Sequence, residues 1–309
     1  MRIKQLLILC AVIFCAVFLC QISLANGNGV TKETQTLALG DSTVKINIYQ
    51  KKGANVTFIS PHHNEQIAVK LAREAIERTG GRLIEIESLD ENGNGQRRLN
   101  FTFKGTNYSL DPNRIFTENG RQCATYAPEI EPLVKTFADN LLKIIFAEGT
   151  KLRAGERFLV AVHNNRDVDE RIELLEKSND LTALGFARQF VTTNLAQTEF
   201  QYQVEGVYLS NAEYDADNFV FVSTPAMLPF FVEEGFNVVV QKSAAKLAIK
   251  NCSVDDGSLS VFAGLKNIPY INLEADAKYG EFRQRQMIAA VYRLFREQQK
   301  NELRMNSKD

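Results

Sequence analysis

Between residues 56 and 86 the hydrophobic period of this chain changes twice, and no other feature limits its possible folds as much. Residues 56–60 form a short apolar run of strand type. From Glu65 the spacing becomes helical: Ile67, Ala68, Leu71, Ala72, Ala75 and Ile76 recur at i, i+3 and i+4, then stop before Gly80-Gly81. Residues 83–86 return to a strand. The alternation continues along the chain. Val44, Ile46 and Ile48 read as a half-buried strand after a polar leader over 26–39, and Leu99, Phe101 and Phe103 run into a Lys104-Gly105 turn with a return strand over 108–110. Residues 130–148 read as an amphipathic helix, 158–162 as a buried strand, 219–222 as a strand, 225–234 as a helix, 236–240 and 270–273 as strands, and 281–302 as a closing helix. Strands interleaved with helices predict an α/β fold with a mixed, largely parallel sheet flanked by helices. No repeat or low-complexity linker divides it, so residues 26–309 read as one domain.

The N-terminus reads differently. Arg2 and Lys4 precede an apolar run over 6–19 and the small-residue pattern Ser23-Leu24-Ala25, which predicts a signal peptide over 1–25 cleaved after Ala25. A retained anchor is the competing reading, because 6–24 is almost long enough to span a bilayer. Cys20 raises a lipoprotein reading, but Phe18 and Leu19 are bulkier than the small residue such processing prefers. Cleavage predicts a periplasmic or secreted protein with no membrane association afterwards. It also removes Cys10, Cys15 and Cys20, leaving Cys123 and Cys252 either as one disulfide or as two buried thiols. The net charge of -1, without a basic block, provides no positive footprint for a nucleic-acid partner.

Three histidines are present, and their placing raises a metal hypothesis. His62 and Glu65 form an H-x-x-E pair where a predicted strand ends and a helix begins, and His163 follows the apolar strand over 158–162. In open α/β sheets, sites gather at the carboxyl ends of strands, so two strand ends can unite His62, Glu65 and His163 as a His₂Glu set. His63 is the alternative, although neighbours on an extended segment point to opposite sides. Taken alone, each histidine also reads as polar surface near a turn, and Glu65 as a first-turn carboxylate complementing a helix dipole.

The segment Asp111-Pro112-Asn113-Arg114-Ile115-Phe116 resembles the D-x-N-R-x-F motif of the zinc carboxypeptidase and aspartoacylase (succinylglutamate desuccinylase) superfamily, and the order of motifs agrees. Ser258-Leu259-Ser260-Val261-Phe262 and Pro269-Tyr270-Ile271-Asn272-Leu273-Glu274 resemble that family's approach to its catalytic glutamate. The resemblance implies a zinc carboxypeptidase-like fold with one Zn²⁺ per chain on His62, Glu65 and His163. It further implies Glu274 as general base, and Asn113 with Arg114 as the clamp on a substrate carboxylate. Arg97, or its neighbour Arg98, corresponds to the arginine that stabilises the oxyanion; Arg97 is preferred. Glu233 and Glu234 are the next carboxylates to test as base. No residue matches the family's substrate-contacting tyrosine, for which Tyr208, Tyr214 and Tyr279 are candidates. The function implied is a metallopeptidase acting on a small peptide or acyl amino acid with a free carboxylate. The rivals are an aspartoacylase-like deacylase with the same centre and a non-catalytic binding protein on the same fold.

Overall fold

The computed structural model describes residues 21–23, 29–124, 127–147, 151–165, 203–208, 210, 218–248 and 251–306. Most of the 1–25 leader, and Tyr214, lie outside these residues. In chain order the strands are β1 (Gln21–Ser23), β2 (Thr31–Leu39), β3 (Ser42–Lys51), β4 (Thr57–Ser60), β5 (Gly81–Ile86), β6 (Leu99–Phe103), β7 (Thr106–Leu110), β8 (Leu159–Asn165), β9 (Val204–Tyr208), β10 (Phe219–Val222), β11 (Asn237–Gln241) and β12 (Tyr270–Asp276). The helices are α1 (Gln66–Thr79), α2 (Glu118–Cys123), α3 (Glu131–Ile145), α4 (Leu228–Glu233), α5 (Ala244–Leu247), α6 (Leu259–Leu265) and α7 (Glu281–Asn306), with a 3₁₀ turn at Pro225–Met227 before α4.

Ten strands join one mixed sheet in the order β1-β2-β3-β5-β4-β8-β12-β10-β11-β9, and β6-β7 form a separate hairpin. The centre is parallel: β5 with β4, β4 with β8, and β8 with β12. Every residue of β4 and β5 is buried, polar Thr57, Ser60, Arg82 and Glu85 included, so their apolar residues show no alternation between a buried and an exposed face. Both faces of the sheet are covered. Phe58, Val160, Val162, Ile271 and Leu273 face a core built with α1 and α7, whereas Ile59, Ile84, Leu159, Ala161 and Tyr270 face one built with α3 and α6. Strand alternation therefore assigns His163, in step with Leu159 and Ala161, to the α3–α6 face.

Helix α1 stops where the sequence predicted. Gly80 has φ +86, and a Cβ there would lie 2.5 Å from the Gly53 Cα, so only glycine allows the chain to turn directly into β5. At the same end of the sheet, Arg82 donates from both terminal nitrogens to the Ile144 and Ile145 carbonyls (3.0 and 2.7 Å), satisfying the last turn of α3.

Two expectations need correction. The 26–39 leader is strand from Thr31 onward, paired with β3 along its whole length from Thr31↔Gln50 to Leu39↔Ser42. Only Leu37 and Leu39 of this strand are buried, so backbone pairing makes the strand and leaves no apolar alternation to read. Strand β12 runs three residues past Leu273, so Glu274 lies within it and not beyond its end. Cys123 and Cys252 form a disulfide with Cα atoms 5.4 Å apart. It closes 129 residues of sequence, which on a chain-entropy account contributes on the order of 5 kcal/mol. Among the described residues no helix is long and apolar enough to cross a membrane.

Candidate metal centre

Two parallel strand ends and one helix start build the site. After β4 the chain turns through Pro61 to His62, and the Ser60 hydroxyl donates to the His62 carbonyl at 3.3 Å. Glu65 occupies the N-cap of α1, but its side chain makes no cap hydrogen bond and reaches inward instead. One carboxylate oxygen meets His62 Nδ1 at 2.8 Å and the other meets His163 Nδ1 at 2.9 Å. All three residues are buried, and their ligand atoms lie within 4.8 Å of one another, so they can hold a metal ion. The dipole-complementing reading of Glu65 therefore misses the contacts that the side chain makes.

Asp111 completes the cluster. Its Oδ1 accepts from His62 Nε2 at 2.9 Å and from the Asn113 amide at 2.8 Å. A carboxylate on the far nitrogen fixes a ligating imidazole's tautomer and ring plane, the usual supporting contact of metal-bound histidine. Burial alone would raise the Glu65 pKa, but the charges and hydrogen bonds of His62 and His163 outweigh it and hold the carboxyl far below its ordinary value. Asp111 is likewise held low against burial by His62, then by Arg97 and Arg114. Burial opposes the charged form of His62, yet Glu65 and Asp111 together raise its pKa. The pocket thus favours anionic oxygens facing positive charge, a distribution suited to a divalent cation.

Glu274 stands beside this group through strand register. β12 pairs with β8 so that Glu274 lies opposite His163, and paired neighbours present their side chains on one face. The Glu274 carboxylate accepts from Asn272 Nδ2 at 2.8 Å. Burial pushes its pKa up; the charge of His163 opposes this, and that of Glu65 adds to it. Glu234 is held by Arg293 of α7, on the opposite face of the sheet.

Arg97 reaches the centre and Arg98 does not. Arg97 lies 3.3 Å from both Glu65 Oε1 and Asp111 Oδ2, with its side chain about half exposed (47%). Arg98 donates instead to the side chain and carbonyl of Ser109 in the β6–β7 hairpin. His63 turns toward Glu85, 3.6 Å away. Asn113 accepts from the Leu259 amide at the start of α6 (3.1 Å), and Arg114 donates to the Asn113 carbonyl (2.9 Å). Tyr208 is on the outermost strand β9, and Tyr279 is exposed on the turn after β12.

Three supporting residues escaped the sequence reading of roles: Asp111, Asn164 and Gln284. Gln284 of α7 donates to the His163 carbonyl and accepts from Asn164, whose own oxygen takes the Ala68 amide of α1 (2.8, 2.8 and 2.9 Å). The end of β8 is thereby fixed to both helices. Gln284 had a readable signal, a polar residue in step with Met287, Ile288 and Val291 on an apolar helix face.

No protein-family model matches the sequence, and no curated protein matches it significantly. Solved structures resemble it at low identity. A metallopeptidase candidate from Shewanella baltica shares 12% identity, with 85% of each chain covered and a TM-score of 0.39. A succinylglutamate desuccinylase/aspartoacylase from Rhodobacter sphaeroides shares 12%, covering 88% of this chain and 66% of its own, with a TM-score of 0.38. An aspartoacylase family protein from Mesorhizobium loti shares 10%, covering 87% and 70%, with a TM-score of 0.36.

Proposed function

We propose that this protein is an exported, zinc-dependent hydrolase of amide bonds, carboxypeptidase-like, acting on small peptides or acyl amino acids with a free carboxylate. The observation that carries the reading is the convergence of His62 Nδ1 and His163 Nδ1 on the two oxygens of Glu65, with Asp111 behind His62. Two imidazoles and one carboxylate form a ligand set of catalytic zinc that keeps a further position open. Bound there, zinc would supply Lewis acidity toward a carbonyl and make water a stronger acid.

The chain's own groups account for binding and proton transfer. Arg114, with Asn113 beside it, receives the substrate's terminal carboxylate, since a guanidinium matches both carboxylate oxygens. Arg97 donates to the oxygen that gains charge as water adds to the carbonyl carbon. Glu274 accepts the proton of that water and returns it to the leaving nitrogen as the C–N bond breaks. Its raised pKa suits both steps, because a more basic carboxylate accepts a proton more readily and its acid form still donates to an amine.

The clamp has a direct test. Arg114→Ala is expected to raise KM for free-carboxylate substrates far more than for their amidated counterparts, at a cost on the order of 2–5 kcal/mol. Peptides and N-acyl amino acids are assayed side by side. Equal losses on acid and amide would remove Arg114 from the clamp.

Export is supported by the leader pattern and by the Cys123–Cys252 disulfide, a bond that persists in oxidising compartments. N-terminal sequencing of the native protein should begin at Asn26, which leaves β2 as the edge strand. A start at Met1 in the membrane fraction would contradict cleavage.

A further inference from the structure

The clamp residues do not stand alone; one short segment holds both. Asp256 Oδ2 lies 3.5 Å from Arg114 Nε, and both side chains are only partly exposed (17% and 28%). The other Asp256 oxygen accepts from the Ser258 amide at 3.0 Å, so the carboxylate is fixed at two points. Ser258 caps α6 through the Val261 amide, and the next amide, that of Leu259, donates to the Asn113 side chain. Residues 256–259 thus contact Asn113 and Arg114 together.

The segment is itself tightly held against α2 and the chain leading into it. Cys252 is bonded to Cys123 at the end of α2. The Phe116 amide donates to the Gly257 carbonyl at 2.9 Å, and Asn119 donates to the Asp255 carbonyl at 3.1 Å. A Cβ on Gly120 would come within 2.0 Å of the Gly257 Cα, so the two backbones touch where no side chain fits. Gly257 also has φ +78, which favours glycine independently.

We infer that Asp256 is the positioning residue of the carboxylate clamp: through Arg114 Nε it sets the guanidinium plane that meets the substrate carboxylate. A guanidinium is planar, so fixing one edge fixes the direction of the others. The inference rests on the clamp reading of Arg114. Asp256 exerts two opposed effects on a carboxylate substrate. Its charge repels the substrate, which lowers affinity, and its oxygen orients Arg114, which raises it. The ion pair with Arg114 acts at 3.5 Å, whereas a substrate carboxylate on the far edge of the guanidinium lies farther from Asp256, so orientation should dominate.

Three variants, assayed on matched free-acid and amidated substrates beside Arg114→Ala, separate these effects. Asp256→Ala should raise KM for the free acid about tenfold, with a much smaller effect on the amide. Asp256→Asn, which keeps an acceptor oxygen but loses the charge, should restore most of the affinity. Asp256→Glu, which keeps the charge but moves the oxygens by one methylene, should resemble Asp256→Ala; it also carries the test if the alanine variant does not fold. A lowered KM in Asp256→Ala, or wild-type affinity in Asp256→Glu, would show that charge and not orientation matters and overturn the inference. If Arg114→Ala discriminates acid from amide while the Asp256 variants do not, only this inference fails. If Arg114→Ala does not discriminate, the clamp reading falls and takes the inference with it.

Discussion

Glu274→Gln should retain its metal and bind substrate as the wild type does while kcat falls by roughly 10²–10⁴-fold, the usual contribution of a positioned acid–base group. The substitution keeps nearly the same volume and leaves an oxygen to accept from Asn272, so β12 and its register with β8 are preserved. What is lost is the ability to take a proton at neutral pH. Burial raises the pKa of Glu274, and its place opposite His163 puts it beside the metal-binding group without making it one of the three residues whose ligand atoms converge. Binding measured by calorimetry, with turnover measured separately, tests the assignment. Loss of metal would make Glu274 a ligand or a fold determinant. Unchanged turnover would place the base elsewhere.

The second large effect concerns the three residues that could hold a metal and their support. His62→Ala, Glu65→Ala and His163→Ala each remove one of three donors and should abolish stable metal binding together with activity. Asp111→Asn keeps the size of the side chain but weakens the contact that orients His62, so metal affinity should fall by about 10–100-fold without being lost. His63→Ala should have a smaller effect, since His63 faces Glu85 and not the cluster. Affinity measured against a competing chelator ranks these variants. Equal loss in His63→Ala and His62→Ala would mean that the wrong histidine was assigned.

The parallel centre of the sheet was legible because burial on both faces leaves short apolar cores, such as Phe58-Ile59, Leu83-Ile84 and Leu159 to Val162, between helices with clear 3.6-residue spacing. Strand β2 was not, because it is made by backbone pairing and most of its side chains are left accessible. The short helices α2, α5 and α6 likewise leave too few residues for a period to show. At the site, the H-x-x-E pair and the strand-end histidine could be proposed from topology, since parallel strands direct their carboxyl ends to one edge. The choice between Arg97 and Arg98 could not. It depends on which way the hairpin presents two adjacent side chains, and only the contacts to Glu65 and Asp111 distinguish them. Asp111 lay inside the quoted motif, but its hydrogen bond to His62 bridges 49 positions of sequence. The pairing of Cys123 with Cys252 was equally out of reach, because separation in sequence says nothing about distance in the fold.

If His62, Glu65 and His163 bind one catalytic zinc, elemental analysis of the purified protein will find it. The wild type should carry about one zinc per chain, the stoichiometry of a mononuclear His₂Glu site, and His163→Ala close to none. A wild-type protein that takes up no zinc when supplied with it, or a folded His163→Ala variant that retains its full complement, would mean that these three residues are not a zinc site.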